Sequence, residues 1–186
     1  MDLVKNSKRM SKLLRHDPHP LTMDNKGWMN VNDLINYLHI TAEDLDTIVQ
    51  TNDKKRFMFN DDKTLIRATQ GHSEGVAPDK EHQQIKLATQ GTILYHGTDD
   101  VTAELIKKDK ILPGKRQFVH WTADRSLAEK RARQRQQHNK TLPVLVTLHA
   151  QSYLNGKGKL YLAENDVYLT PEIEGTKLGF IFISGK

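Results

Sequence analysis

The chain has no cysteine, which excludes disulfides, thiolate chemistry and zinc sites built on sulfur. Its nine histidines are scattered, with no HExxH and no His-x-His-Asp grouping, so no metal site is expected. No GxGxxG follows a predicted strand, which removes support for a Rossmann-type cofactor site. No window approaches the roughly 18 apolar residues that a bilayer span needs. The N-terminal stretch carries Lys5, Lys8, Arg9 and Lys12 where a signal peptide would have an apolar core. A soluble, cytoplasmic protein without a membrane partner is the expectation. Acidic residues are the scarcer charge, 23 against 28 basic, and the resulting +5 with a pI near 9.3 points to a polyanion as partner.

What is present falls into two textures, and 186 residues leave room for two small lobes, each with a modest core. Residues 2–15 place Leu3, Met10, Leu13 and Leu14 at helical spacing among lysines and arginines, which predicts an amphipathic helix with a basic outer face. Asp17-Pro18-His19-Pro20 stops it near His16, because the residue before a proline is driven out of the α region. Arg15 and His16 are thus expected side by side and exposed. Capping of the last carbonyls, where positive charge is favoured, accounts for both without any function.

Asn25-Lys26-Gly27 signals a turn, and Trp28 is the expected anchor of a small core. Asn30 or Asn32 caps a helix over 31–38, and Thr41 with Asp44 forms a capping box for a helix through Val49. Residues 56–59, a turn at 60–63 and residues 64–67 make a hairpin. Three helices and a hairpin with basic faces predict a winged-helix lobe over residues 1–73. Residues 74–92 are polar and are expected as a connector. After them come strands near 93–95, 118–122, 142–148, 160–162, 167–169 and 180–183, with a short helix over 101–108 and a long basic one over 124–137. Residues 93–186 therefore form a strand-rich lobe, and the class is α+β with a mixed or antiparallel sheet.

Chemistry concentrates in a few stretches. Ile66-Arg67-Ala68-Thr69-Gln70-Gly71-His72-Ser73 closes an apolar run and presents Arg67, Gln70 and His72. A guanidinium fork matches phosphate oxygens, imidazole donates or accepts near neutral pH, and glycine lets backbone N–H groups approach a ligand. Alone, this reads as a strand ending in a polar turn. Leu14-Arg15-His16 upstream and Leu94-Tyr95-His96-Gly97-Thr98 downstream change that reading, and the three together suggest one cleft between two lobes. Tyr95-His96-Gly97-Thr98 ends a predicted strand with the donor, glycine and hydroxyl that a dinucleotide's ribose and carboxamide need. Val119-His120-Trp121-Thr122 adds a second histidine on a neighbouring strand, with Thr122 on the same face. One histidine on an apolar strand is usually structural; two at the ends of paired strands are harder to dismiss.

In order along the chain, these stretches resemble the NAD-dependent tRNA 2'-phosphotransferase family over nearly the whole length. Ser11 to His16, Asp24 to Trp28, Lys55-Arg56-Phe57, Ile66 to Ser73, Leu94 to Thr98, Val119 to Thr122 and Asn165-Asp166-Val167-Tyr168-Leu169-Thr170 carry the resemblance. It implies a winged-helix N-terminal lobe, an ADP-ribosyltransferase-like C-terminal lobe and an active site between them. It also implies NAD as co-substrate, a tRNA-like RNA with an internal 2'-phosphate as partner, and a monomer. The 2'-phosphate attacks the nicotinamide ribose carbon and expels nicotinamide; the ribose 2''-hydroxyl then attacks the phosphorus, leaving 2'-hydroxyl RNA and ADP-ribose 1'',2''-cyclic phosphate.

Arg15, His16 and Arg67 match the first three members of the family's Arg-His-Arg-Arg catalytic set. The fourth follows a small residue as Gly-x-Arg, where this chain reads Arg131-Ala132-Arg133-Gln134-Arg135 and strict register gives Gln134. Arg133 or Arg135 must then substitute; Ala128, Ala132 and Arg135 share a helix face, which favours Arg135. His96, His120 and Val167 occupy the three signature positions of the NAD lobe, with Gly97, Thr98 and Thr122 beside them as cofactor-binding residues. Trp121 replaces a smaller apolar residue, and Phe118 stands where another histidine is common. Two other functions use the same features: a non-catalytic winged-helix regulator, and an ADP-ribosyltransferase that stops after the first step.

Overall fold

The computed structural model describes residues 2–52, 54–84, 92–139 and 141–183, with backbone alone at 136–139. The chain divides into two compact units, Met1–His82 with Lys115–Gln117, and Gln83–Gly114 with Phe118–Lys186.

In the first unit α1 (Leu3–Arg15) begins where the Asp2 carboxylate accepts the Lys5 N–H at 2.9 Å and ends at His16, just before the two prolines. β1 (Met29–Asn30) leads into α2 (Val31–Leu38), capped by Asn30, the first of the two asparagines expected. α3 (Ala42–Gln50) opens with the expected capping box, Thr41 and Asp44 bonding each other's backbone at 3.0 and 3.1 Å. β2 (Phe57–Phe59) and β3 (Leu65–Ala68) form the hairpin, and β1 joins it in an antiparallel sheet of order β1-β3-β2. Met10, Leu13 and Leu14 of α1 pack with Leu34, Leu38, Leu45, Ile48, Phe57 and Ile66 into one core. Trp28 is not its anchor. Alternation along β1 sends Met29 inward, and the half-buried indole instead carries the Arg67 guanidinium 4.3 Å from its ring centroid.

Residues 74–82, expected as connector, bond into the first unit: Val76 N–H to Ser73 O, Asp79 N–H to Asn25 O and Lys80 N–H to Ala77 O. The segment Lys115–Gln117 returns to the same unit, where Gln117 donates its backbone N–H to His72 O and its side-chain amide to Val76 O. Of the rest of the expected connector, residues 85–91 lie outside the described residues.

The second unit opens with β4 (Gln83–Gln84) and β5 (Ile93–Asp99), followed by α4 (Asp100–Lys108), β6 (Lys110–Ile111), β7 (Val119–Trp121) and α5 (Arg125–Asn139). β8 (Pro143–His149), α6 (Ala150–Asn155), β9 (Tyr161–Leu162), β10 (Tyr168–Thr170), β11 (Ile173–Glu174) and β12 (Gly179–Phe182) complete it. The strands pair antiparallel in the orders β12-β8-β5, β4-β9-β10-β7 and β11-β6. Reciprocal backbone bonds between Tyr95 and Thr122, at 2.8 and 3.0 Å, join β5 to the end of β7. Leu94, Trp121, Val146, Leu148, Leu160 and Ile173 make the core. Both units mix helix and sheet, which is the α+β class. Among the described residues no helix is long and apolar enough to cross a membrane.

Candidate active site

Three of the singled-out residues converge in the first unit. Arg15 closes α1 but is not exposed, as its helix-end position suggested; it is 7% accessible, because α1 lays its last turn on the sheet. Its guanidinium sits 5.9 Å over Phe57 and donates, at 3.4 Å each, to Ser11 Oγ and the Arg56 carbonyl, while Nε has no hydrogen-bond partner. His16, next along the chain, is exposed as expected, and its Nδ1 lies 2.8 Å from Ser73 Oγ. Arg67 stands in β3 opposite Met58 of β2. His72 is not presented outward: it is 2% accessible, and its Nε2 has no hydrogen-bond partner and faces Gly27. Gln70 is half-buried, with its Oε1 equally without a partner.

The electrostatics of this cluster run one way. Burial first, then Arg56 and Arg116, lower the Arg15 guanidinium to about 10. Burial, then Arg15 and Arg116, push His16 down, which keeps it neutral at pH 7. Burial, then Lys80, Arg15, His82 and Arg67, take His72 to about 3. The neighbouring charges that act on these three groups are positive, which is a setting that attracts an anion. Arg116 and Lys80 were not singled out from the sequence: one arrives from the distant segment Lys115–Gln117, the other from a turn expected as connector.

In the second unit the histidine pair is close. The His96 Nδ1–H donates to the His120 carbonyl at 2.9 Å, which fixes the tautomer with the lone pair on Nε2, and the ring meets Trp121 edge-on at 5.9 Å between centroids. His120 faces Leu169 across the β7–β10 ladder, and Val167 immediately precedes β10, its carbonyl accepting the Ala163 N–H at 2.9 Å. Tyr95-His96-Gly97-Thr98 does not end its strand; β5 runs on through Asp99, since β8 pairs with all seven residues. Gly97 has a packing reason. A Cβ there would fall on the Ala128 carbonyl oxygen and 2.9 Å from the Ala132 nitrogen, so only glycine lets α5 lie on the strand. Thr122 Oγ1 accepts the Asp124 N–H at 3.1 Å, and Asp124 in turn caps the Leu127 N–H that opens α5. Arg135 shares the face of Ala128 and Ala132, as the spacing indicated, and reaches Thr98 Oγ1 at 3.3 Å and the Asp99 carboxylate at 3.6 Å. Gln134 is exposed and Arg133 half-buried.

Residues 1–172 match the family described as RNA 2'-phosphotransferase, Tpt1 / KptA family. A probable RNA 2'-phosphotransferase of Flavobacterium johnsoniae is 38% identical over 176 residues, covering 90% of each chain. A protein of the same description from Fusobacterium nucleatum is 38% identical over 174 residues, 90% of this chain and 92% of the relative. A third, from Burkholderia pseudomallei, is 33% identical over 181 residues, 94% and 93% of the two chains. This chain belongs to the RNA 2'-phosphotransferase family.

Proposed function

We propose that the protein transfers an internal RNA 2'-phosphate to NAD, through an ADP-ribosylated 2'-phosphate, giving 2'-hydroxyl RNA, nicotinamide and ADP-ribose 1'',2''-cyclic phosphate. The observation that carries this is the cation cluster of the first unit: Arg56 and Arg116 act on Arg15, Arg15 and Arg116 act on His16, and Arg67 is among the positive charges that act on His72. A dianionic phosphate ester is the ligand such a cluster suits. Arg15 and Arg67 hold its oxygens and stabilise the charge that spreads over them as phosphorus is attacked. His16, neutral at pH 7, takes the proton of the attacking hydroxyl. Arg135 is the fourth member of the set.

The donor chemistry of the second unit supports NAD as co-substrate. Bound NAD supplies an electrophilic ribose carbon with nicotinamide as leaving group. The Nε2 lone pair of His96 and the neighbouring His120 suit ribose hydroxyls, Thr122 keeps its own O–H to donate, and Val167 lines the start of β10. Gly97 and Thr98 shape that strand, one by admitting α5 and the other by taking Arg135. In this reading three helices with a three-stranded sheet make a winged-helix lobe, the strand-rich unit is ADP-ribosyltransferase-like, and the enzyme acts in the cytoplasm on tRNA-like RNA. Incubation with NAD and a short RNA bearing one internal 2'-phosphate, followed by mass spectrometry of the RNA, tests it. A bare 2'-hydroxyl is expected; a retained ADP-ribosyl group would make the protein a transferase of one step, and unchanged RNA a non-catalytic binder.

A further inference from the structure

His16 poses a mechanical problem. An exposed imidazole at a helix end samples several rotamers and both neutral tautomers unless something fixes it, and a base that wanders by an ångström loses most of its effect. Among the described residues, Ser73 is the hydrogen-bond partner of this ring, with Oγ 2.8 Å from Nδ1. Ser73 is itself immobilised. Its N–H donates to the Arg15 carbonyl at 2.8 Å, its carbonyl accepts the Val76 N–H at 3.0 Å, and it bridges antiparallel to Arg116 of the returning segment. One residue thus ties the end of α1, the turn after β3 and the segment Lys115–Gln117 together, and aims its hydroxyl at the ring.

We propose that Ser73 is a positioning residue for His16: its hydroxyl accepts the Nδ1–H, holds the ring at the end of α1 and leaves the Nε2 lone pair to act as the base. That the hydroxyl accepts the Nδ1–H, and what His16 does with the lone pair, rest on the phosphotransferase reading; the pairing of ring and hydroxyl does not. Ring 15N spectra of histidine-labelled protein, with His16→Gln for assignment, read the tautomer directly. The wild type should show His16 as the Nδ1–H form alone. Ser73→Ala should give the mixture of a free imidazole with an unchanged melting curve, and Ser73→Thr should restore the single form. In turnover of 2'-phosphorylated RNA, Ser73→Ala should lower kcat on the order of tenfold to 100-fold with KM for NAD unchanged, and Ser73→Thr should recover it. An Nε2–H tautomer in the wild type, or a tautomer and kcat unaltered in Ser73→Ala, overturns the proposal. A wild type that leaves the RNA untouched yet shows the Ser73-dependent tautomer refutes the phosphotransferase reading and keeps the positioning role.

Discussion

The two units treat an arginine in opposite ways. Arg15 in the first is 7% accessible and is surrounded by charges of its own sign, Arg56 and Arg116. Arg135 in the second is 49% accessible at its side chain, yet lies 3.6 Å from the buried Asp99 carboxylate and 3.3 Å from Thr98. An exposed cation beside a carboxylate is an ordinary tie between elements, here α5 and the β5–α4 junction, and such pairs contribute about 0–1 kcal/mol. A buried cation among cations costs stability. Lowering Arg15 from 12.5 to about 10 corresponds to a penalty on the order of a few kcal/mol at neutral pH, where the group is charged whether folded or not. The first unit keeps a buried guanidinium beside two more of its own sign, an arrangement that suits the anion of the proposed function.

The largest effect that sharpens this contrast is on turnover. Arg67→Ala and Arg15→Met should each slow loss of the RNA 2'-phosphate on the order of 100-fold or more, as removal of a preorganised charge donor does. Arg15→Met should do so with a melting temperature equal to or above that of the wild type, since it removes a buried charge and its repulsion with Arg56 and Arg116; a clear drop would make Arg15 structural. For Arg67→Ala and His16→Ala, gels should show ADP-ribosylated RNA accumulating, because in the proposed mechanism the second step leans hardest on the phosphate contacts.

Packing gives the next effect, and it belongs to the second unit. Gly97→Ala should destabilise by roughly 1–3 kcal/mol in denaturant titrations, as the added methyl forces α5 from β5 at Ala128. An unchanged midpoint would mean that the helix does not depend on that contact.

A smaller effect is the pH dependence of His72. Its folded value is depressed from 6.5 to about 3, so the unfolded chain binds a proton that the folded one refuses. The contribution is complete above pH 6.5 and is lost as pH falls toward 3, with a slope approaching about 1.4 kcal/mol per pH unit. His72→Asn should flatten the decline in melting temperature between pH 6.5 and roughly 5, before carboxylates titrate. Equal declines would place the acid sensitivity elsewhere. Least in stability is Arg135→Ala, at under about 1 kcal/mol. In turnover it should exceed Arg133→Ala, and the reverse order would move the fourth arginine to position 133.

Local rules were legible where the signal is local. The amphipathic spacing of α1, the Asn30 cap, the Thr41–Asp44 box and the hairpin all form as their residues dictate. β6, β11 and α6 were not expected, because two-residue strands and a six-residue helix exist through tertiary pairing and carry no periodicity of their own. Arg15, His16 and Arg67 were visible as residue types, but not that Arg15 is buried, since arginine is ordinarily exposed. Ser73 meets His16 across 57 residues and Arg116 arrives across 43 more, distances at which composition and spacing are silent.

Binding of RNA without NAD tests the central claim most directly, because it isolates the cation cluster from the chemistry. A short RNA with one internal 2'-phosphate and the same RNA with a 2'-hydroxyl are titrated against wild type and against Arg15→Met, Arg67→Ala at fixed salt. The account predicts that the wild type prefers the phosphorylated RNA about tenfold or more, and that the double variant binds both equally. Equal affinity of the wild type for the two RNAs would contradict it.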